Sequence, residues 1–138
     1  MDELEYLFMG SSIESLDNSI RVEAHSIYLP DQSDPDQHRF VFAYTIKIHN
    51  DGSRPAQLLT RHWLITDADG RTQEVHGDGV IGEQPEIFPG KTHTYSSGTL
   101  IETPVGTMEG RYGMISKSAG DFSAQIPVFQ LAVPGVLN

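Results

Sequence analysis

The chain has 138 residues, no cysteine, and 19 acidic against 9 basic residues, which gives a formal net charge of −10. The missing cysteines exclude a disulfide framework, thiolate metal centres and cysteine nucleophiles. The acidic balance argues against non-specific nucleic-acid binding, because that binding needs clustered Lys and Arg to neutralise phosphates. No apolar run approaches the ~18 residues of a membrane span, and the acidic N-terminus lacks the basic start of a secretory signal. We therefore expect a cytoplasmic protein that does not insert into a membrane.

One domain is expected at this length. Residues 1–18 have little hydrophobic pattern, whereas regular alternation begins at Ser19. We therefore divide the chain into a weakly patterned N-terminal segment, 1–18, and a domain, 19–138.

The first predicted strands alternate apolar and polar residues with a period of two. Between residues 20 and 28, Ile20 and Val22 alternate with charged residues, and from 38 to 50 the apolar residues again share one parity. The intervening stretch, 30–37, is rich in proline and aspartate and predicts a loop. Each of these strands should bury one face and expose the other.

The next strand, 58–66, is apolar on both faces, so we predict a central position in its sheet. Leu59 and Trp63 are placed on one face and Leu58 on the other. Asp69 and Gly70 predict a tight hairpin into a strand at 71–76.

The remaining chain predicts three more strands. The glycine- and proline-rich stretch 77–90 is too interrupted for a regular element, and strands follow at 92–97, 106–116 and 122–133. The inward phase changes at Pro127, which predicts an edge position or a bulge there. About seven strands and no convincing helix indicate an all-β fold of two packed antiparallel sheets.

A glycine motif of the type G-x-G-x-x-G occurs at Gly77, Gly79 and Gly82. In dinucleotide-binding folds this motif opens a helix whose amides hold pyrophosphate. Here no helical pattern follows, and Asp78 and Glu83 would repel phosphate. The motif favours a loop that needs left-handed or closely packed backbone, with pyrophosphate or nucleotide binding kept as an alternative.

Other patterns that carry chemistry are weak. The Asp67 to Gly70 run begins like a calcium loop but departs from that pattern in its later positions. None of the six histidines has a local metal spacing, although adjacent strands could bring some together. No nucleophile motif accompanies the serines. We therefore assign no catalytic residue, no metal ligand and no cofactor, and expect a protein that is not an enzyme.

Arg61 shares the inward parity of Trp63, which is unusual for a cation. Trp63 is expected in the core. Arg61 should therefore reach a sheet rim or pair with an acid such as Glu102 or Glu109. Either a structural ion pair or an anion- or partner-binding arginine is compatible with this pattern.

Motifs over most of the chain from Ser19 onward carry a family resemblance. They are RHWLITDADG at 61–70, VHGDGVIGEQP at 75–85, YSSG at 95–98, ETPVGTMEG at 102–110, Tyr112, IPVF at 126–129 and the terminal Asn138. These motifs resemble the bacterial ApaG family, also called CorD, in which the glycine motif commonly reads GEGVVG rather than GDGVIG.

The resemblance implies an immunoglobulin-like or fibronectin type III-like β-sandwich. It also implies a genetic link to cobalt resistance and magnesium efflux through the CorA transport system. Similar domains occur in a eukaryotic F-box protein and in a polymerase delta-interacting protein, which implies a protein-interaction module.

We therefore expect a binding or adaptor module with a protein partner. Its candidate surface is the 77–85 loop and its surroundings: Gly77, Asp78, Gly79, Gly82 and Gln84 of the loop, with Arg61, His62, Glu102 and Tyr112 beside it. A loop on a rigid scaffold is a common way to build such a surface. The alternatives are a small-ligand protein that binds pyrophosphate or nucleotide at 77–82, and a divalent-cation sensor that uses the acidic stretch 31–36.

Overall fold

The computed structural model describes residues 19–136, so the predicted segment 1–18 lies outside the described residues. Eight strands form within this range. They are β1 (Ile20–Tyr28), β2 (Phe40–Asn50), β3 (Ala56–Asp67), β4 (Thr72–Asp78), β5 (Glu86–Ile87), β6 (Thr92–Ile101), β7 (Val105–Ser116) and β8 (Gly120–Ala132). Two short 3-10 turns, Pro30–Gln32 and Pro35–Gln37, lie in the predicted loop between β1 and β2. No helix in residues 19–136 is long and apolar enough to cross a membrane.

The strands form two antiparallel sheets. One sheet has the order β1-β2-β6, and the other has the order β4-β3-β7-β8, with the short β5 paired to β3. The predicted all-β, immunoglobulin-like or fibronectin type III-like sandwich is confirmed, with seven long strands and one of two residues. β3 lies between β4 and β7, which confirms its predicted central position.

The core lies between the two sheets and is built from the alternating faces that the sequence indicates. Phe42 and Ile46 of β2 meet Met108 of β7, and all three are fully buried. The predicted core position of Trp63 is confirmed, since its ring packs edge-on against Tyr44 at a centroid distance of 5.4 Å. Aromatic rings arranged edge to face add attraction beyond the area that they bury.

The predicted faces of β3 are wrong at its start. Leu58 and Trp63 are both buried although they lie five positions apart. In a regular strand an odd separation places residues on opposite faces. The pairing of β3 with β7 shifts register between Leu58 and Thr60, and this bulge at Leu59 moves Leu58, rather than Leu59, onto the core face.

The prediction for Pro127 is confirmed. β8 is an edge strand, and its pairing with β7 shifts register between Met108 and Gly110, opposite Pro127. Ile126 and Leu131 on either side of the shift are both buried. The bulge therefore keeps both halves of the strand facing the core.

Several predicted boundaries change. β2 begins at Phe40 because His38 adopts a left-handed conformation with φ 56°. β4 continues to Asp78, inside the stretch predicted to lack regular structure, and β5 lies within that stretch too. β6 extends to Ile101, beyond the predicted end at residue 97.

The two sides of the sandwich differ. On one side, β1 contacts β8, and Ser26 Oγ donates a hydrogen bond to the carbonyl of Gln130 at 2.7 Å. On the other side, the end of β4 and the loop after it lie beside β6, and a cleft opens between the sheets. The candidate surface is on this second side.

Candidate functional site

The tip of the 77–85 loop is a tight turn. Val80 and Glu83 exchange two backbone hydrogen bonds, at 2.8 and 3.0 Å. The two residues between them both have positive φ, 47° at Ile81 and 75° at Gly82. This is the pattern of a two-residue type I′ turn, which normally takes Asn-Gly. The buried Val80 anchors the turn, while Ile81 is 62% exposed.

The glycines of the motif meet backbone requirements, as the loop interpretation predicts. Gly79 has φ 65°, and a Cβ there would lie 2.2 Å from the carbonyl oxygen of Glu83. A Cβ at Gly77 would lie 2.6 Å from the guanidinium of Arg61. Position 79 therefore requires glycine, whereas a side chain at Gly77 would force the Arg61 guanidinium to move.

The Arg61 side chain supports the loop by binding backbone carbonyls of the loop. Its Nη1 donates to the carbonyls of Asp78 and Gly79, both at 3.0 Å. The predicted partners Glu102 and Glu109 are therefore wrong. The cause is register, since Arg61 lies opposite Gly77 on β4 and its side chain passes over the bare glycine to the start of the loop.

The other end of the loop is held by the bulge in β3. The Leu59 carbonyl accepts a hydrogen bond from the Gly79 amide at 2.8 Å and another from Gln84 Nε2 at 2.9 Å. Gln57 Nε2 in turn donates to the Gln84 carbonyl at 3.0 Å. Gln84 therefore fixes the loop, and the whole segment is attached to β3 at both ends.

A cleft of 290 Å³ lies beside the loop tip. Tyr44, Tyr95 and Ser97 line it from one sheet, and Arg61 and Trp63 line it from the other. The loop residues Asp78, Val80, Ile81 and Gly82 complete its wall. The cleft thus combines aromatic surface with a guanidinium and hydroxyl groups.

Tyr112 is not on the surface, contrary to its place in the predicted site. It is fully buried, and its hydroxyl hydrogen-bonds to the Tyr95 hydroxyl. Burial raises the pKa of both phenols above the usual value of 10. Both hydroxyls are therefore neutral at physiological pH, and Tyr112 contributes to the cleft by positioning Tyr95.

Glu102 is also misplaced by the prediction. It pairs with Arg71 Nη1 at 3.1 Å, at the hairpin turn between β3 and β4. The loop begins at the other end of β4, six residues and therefore about 20 Å away along the strand. The prediction fails because Glu102 follows β6, whose length the sequence analysis underestimates.

His62 lies near the loop but on the outer face of its sheet, because its neighbours Arg61 and Trp63 line the cleft. Its ring stacks on His76, with a centroid distance of 4.1 Å and an interplanar angle of 12°. Its Nε2 lies 3.5 Å from a carboxylate oxygen of Glu74. The sequence analysis did not place Glu74 or His76 in the candidate site, but its expectation that adjacent strands could bring histidines together holds for His62 and His76, which each stand seven positions from Asp69 in the hairpin.

The loop offers little to a phosphate. The amides of Gly79, Val80 and Glu83 already donate to backbone carbonyls, and Arg61 is committed to two more. β4 leads into the loop and β5 follows it, so no helix N-terminus points at the motif. The acidic stretch 31–36 likewise contributes to no group of three metal-ligating side chains within residues 19–136.

Comparisons with known proteins agree with the motifs. The family model described as the ApaG domain matches residues 30–116. The protein ApaG of Pseudomonas aeruginosa is 58% identical over 121 residues, which covers 88% of this chain and 96% of that protein. The protein ApaG of Aromatoleum aromaticum is 54% identical over 125 residues, with coverage of 91% and 98%.

Solved structures agree with both fold and family. The X-ray structure of a Northeast Structural Genomics Consortium target is similar, with a TM-score of 0.84, 52% identity, and coverage of 89% of this chain and 93% of that chain. A crystal structure from Bordetella pertussis has a TM-score of 0.82 and 47% identity, covering 85% and 95%. With the family-model match, this similarity shows that the chain belongs to the ApaG family.

Proposed function

We propose that this protein is a non-enzymatic protein-interaction module whose partner binds the loop tip at Ile81 and the cleft beside it. The observation that carries the proposal is the conformation of Ile81. This residue has φ 47° and is 62% exposed, so an apolar, β-branched side chain is displayed in a conformation that suits glycine or asparagine.

The fold gains little from this isoleucine. A left-handed conformation costs a residue with a Cβ roughly 1–2 kcal/mol, and an exposed side chain recovers little of that by burial. Strain of this kind persists at sites where function requires it. A partner that covers Ile81 supplies the missing burial.

The surroundings of Ile81 suit a protein partner. Arg61 and Tyr95 line the adjacent cleft, and Arg and Tyr are enriched among residues that dominate protein interfaces. The loop is held by hydrogen bonds at both ends, so binding needs little ordering of the loop. Among the described strands β4 pairs only with β3, so its other backbone edge offers a place for strand addition by the partner.

The test is Ile81→Asn, because asparagine is favoured in this turn. We expect the free energy of unfolding to rise by about 1 kcal/mol while partner binding is lost. Purified native and variant proteins would be used to capture partners from lysate of the source cells. A photo-crosslinking residue at position 81 would identify what touches the loop, and titration of the identified partner would give its affinity.

The matched control is Ile27→Asn. Ile27 is 57% exposed on β1, away from the loop. Its substitution should leave binding unchanged. The proposal is wrong if Ile81→Asn binds the crosslinked partner as tightly as the native protein, or if crosslinks at position 81 capture nothing that saturates.

The family resemblance points the search for a partner towards cytoplasmic components of cobalt resistance and magnesium efflux. Pyrophosphate or nucleotide binding at 77–82 and a cation site at 31–36 remain alternatives of different class. Each predicts saturable amide shifts confined to its own segment in an NMR titration with pyrophosphate or magnesium. The interaction proposal predicts none.

A further inference from the structure

A second group of side chains lies on the outer face of the β4-β3-β7-β8 sheet, away from the cleft. His62 on β3 lies directly opposite His76 on β4, and Glu74 stands two residues before His76 on the same face. One donor atom from each of the three lies within 4.8 Å of the others. Cross-strand pairing therefore gathers two imidazoles and a carboxylate.

The two ring nitrogens of His62 need a partner. Both are buried and neither forms a hydrogen bond within residues 19–136. Stacking on His76 aligns the two ring planes but satisfies no nitrogen. A buried polar atom without a partner costs about 1–3 kcal/mol, and a metal ion bound at one of these nitrogens would remove that cost there.

We propose that His62, Glu74 and His76 form a binding site for a borderline divalent metal ion of the Zn²⁺ class. Two imidazole nitrogens and one carboxylate oxygen are a donor set that suits Zn²⁺, Ni²⁺ and Cu²⁺. Mg²⁺ prefers oxygen ligands and several retained waters. The site should therefore discriminate between these two classes of cation.

Metal binding requires the stacked histidine pair to open. A four-coordinate zinc ion with bonds of roughly 2.0–2.2 Å holds neighbouring ligand atoms roughly 3.3–3.5 Å apart. The Glu74 side chain is 59% exposed and can move, whereas the His62 side chain is 18% exposed and more constrained. Because a metal ion lies in the plane of each imidazole that binds it, the exposed His76 ring must rotate out of its stack on His62 before both rings can bind one ion, and the exposed Glu74 carboxylate then follows.

The site is open on one side. His62 and His76 line a depression of 510 Å³, together with Thr60, Asp78 and Arg111. Three protein ligands and an accessible fourth position allow water to complete the coordination. Arg111 lies opposite His62 on β7 and brings a positive charge to the same depression, which weakens binding of a cation.

The test is titration of the tag-free, full-length protein with Zn²⁺ by calorimetry, with histidine side-chain NMR to locate the ion. We expect one ion per chain and shifts of the His62 and His76 ring resonances. His76→Gln should weaken binding at least about tenfold, as loss of a ligand costs more than the loss of an outer-shell contact. Arg111→Gln should tighten binding.

The chain offers a matched control in His49. It also faces a glutamate, with Nε2 2.8 Å from Glu23 Oε1, but its Nδ1 is satisfied by Thr92 Oγ1 at 2.7 Å. His49→Gln should leave Zn²⁺ affinity unchanged. The proposal is overturned if the native protein binds no Zn²⁺, if correctly folded His76→Gln binds it as tightly, or if His49→Gln weakens binding equally.

Discussion

The hairpin of β3 and β4 has an arginine at each end, and the two arginines bind different kinds of partner. At the turn, Arg71 contacts three carboxylates, those of Asp67, Asp69 and Glu102, at 2.7, 3.1 and 3.1 Å. At the loop, Arg61 contacts two backbone carbonyls and, within residues 19–136, no carboxylate within 4.0 Å.

Arg71 therefore belongs to an ionic cluster, whereas Arg61 is held by neutral backbone groups. Arg71 is surrounded by three carboxylates, and its pairs with the exposed Asp69 and Glu102 contribute little to stability, whereas the Asp67 side chain is only 7% exposed. Carbonyls orient Arg61 but carry no net charge to balance it. At the loop end, Gly79 is in close contact with backbone, and no carboxylate in residues 19–136 lies within 4.0 Å of the Arg61 guanidinium beside the cleft. At the turn end, Gly70 has nothing within 4 Å, and three carboxylates surround Arg71.

Glycine substitutions at the two ends should show the largest contrast. Gly79→Ala places a Cβ 2.2 Å from the Glu83 carbonyl oxygen at φ 65°, and should lower the free energy of unfolding by at least about 3 kcal/mol. Gly70→Ala at the turn has φ 85° but nothing within 4 Å, and should cost about 1 kcal/mol. Urea denaturation monitored by Trp63 fluorescence measures both. Equal losses would show that the loop end is no more constrained than the turn.

Arginine substitutions should also destabilise the loop end more than the turn end, by a smaller difference in the free energy of unfolding. Arg61→Ala removes the donor to two carbonyls and should lower the free energy of unfolding by about 2 kcal/mol. Arg71→Ala removes two exposed ion pairs and one with Asp67, whose side chain is 7% exposed but keeps two hydrogen bonds from backbone amides, so the loss should be smaller, about half that of Arg61→Ala. Denaturation curves of both variants at low and high salt provide the check. A larger loss for Arg71→Ala would contradict the distinction drawn between the two ends.

The two ends should also respond to opposite extremes of pH. Burial alone would raise the pKa of Asp67, but hydrogen bonds from Arg71 and from the amides of Asp69 and Arg71 lower it overall. An acid with a lowered pKa stabilises the fold above its unfolded value of about 3.9, and this contribution is lost as the pH falls further. Chemical shifts of the Asp69 and Arg71 amides should report this change at the turn.

At the cleft, stability should instead be lost as the pH rises. Burial raises the pKa of Tyr95 and of Tyr112, so their contribution is present below the unfolded value of about 10 and is lost at higher pH. Tyrosinate absorbance of these residues should rise only together with alkaline unfolding. Tyr112→Phe should cost about 1 kcal/mol at neutral pH and reduce the alkaline sensitivity. Ionisation of both phenols near pH 10 without unfolding would contradict their burial.

Periodicity predicts β1, β2, β7 and β8 well because each buries one face, whereas β4 is exposed along nearly its whole length and was predicted from its hairpin turn. Periodicity fails at β3, where the bulge at Leu59 changes which parity faces inward. A single sequence carries no marker for that bulge, since Leu58 and Leu59 are equally apolar. Pro127 marks the corresponding change in β8, and there the prediction is confirmed.

The candidate site was predictable mainly where its parts are close in sequence, and Arg61 was added from its inward parity beside Trp63. The loop glycines and Gln84 were found because one motif holds them all. The pairing of His62 with His76 depends on the length of the turn between β3 and β4, which sets the register of the hairpin. A two-residue turn at Asp69 and Gly70 would place His62 opposite Gly77, whereas the observed longer turn places it opposite His76.

The bulge at Leu59 also limits which sequence changes the 77–85 loop can accept. A single carbonyl there accepts from both ends of the 77–85 loop, so the loop spans a fixed gap and tolerates little insertion or deletion. The exposed tip at Ile81 makes no such attachment, and substitution there leaves the span intact. Specificity at this surface can therefore diversify by exchange of the tip residue on a loop of constant length.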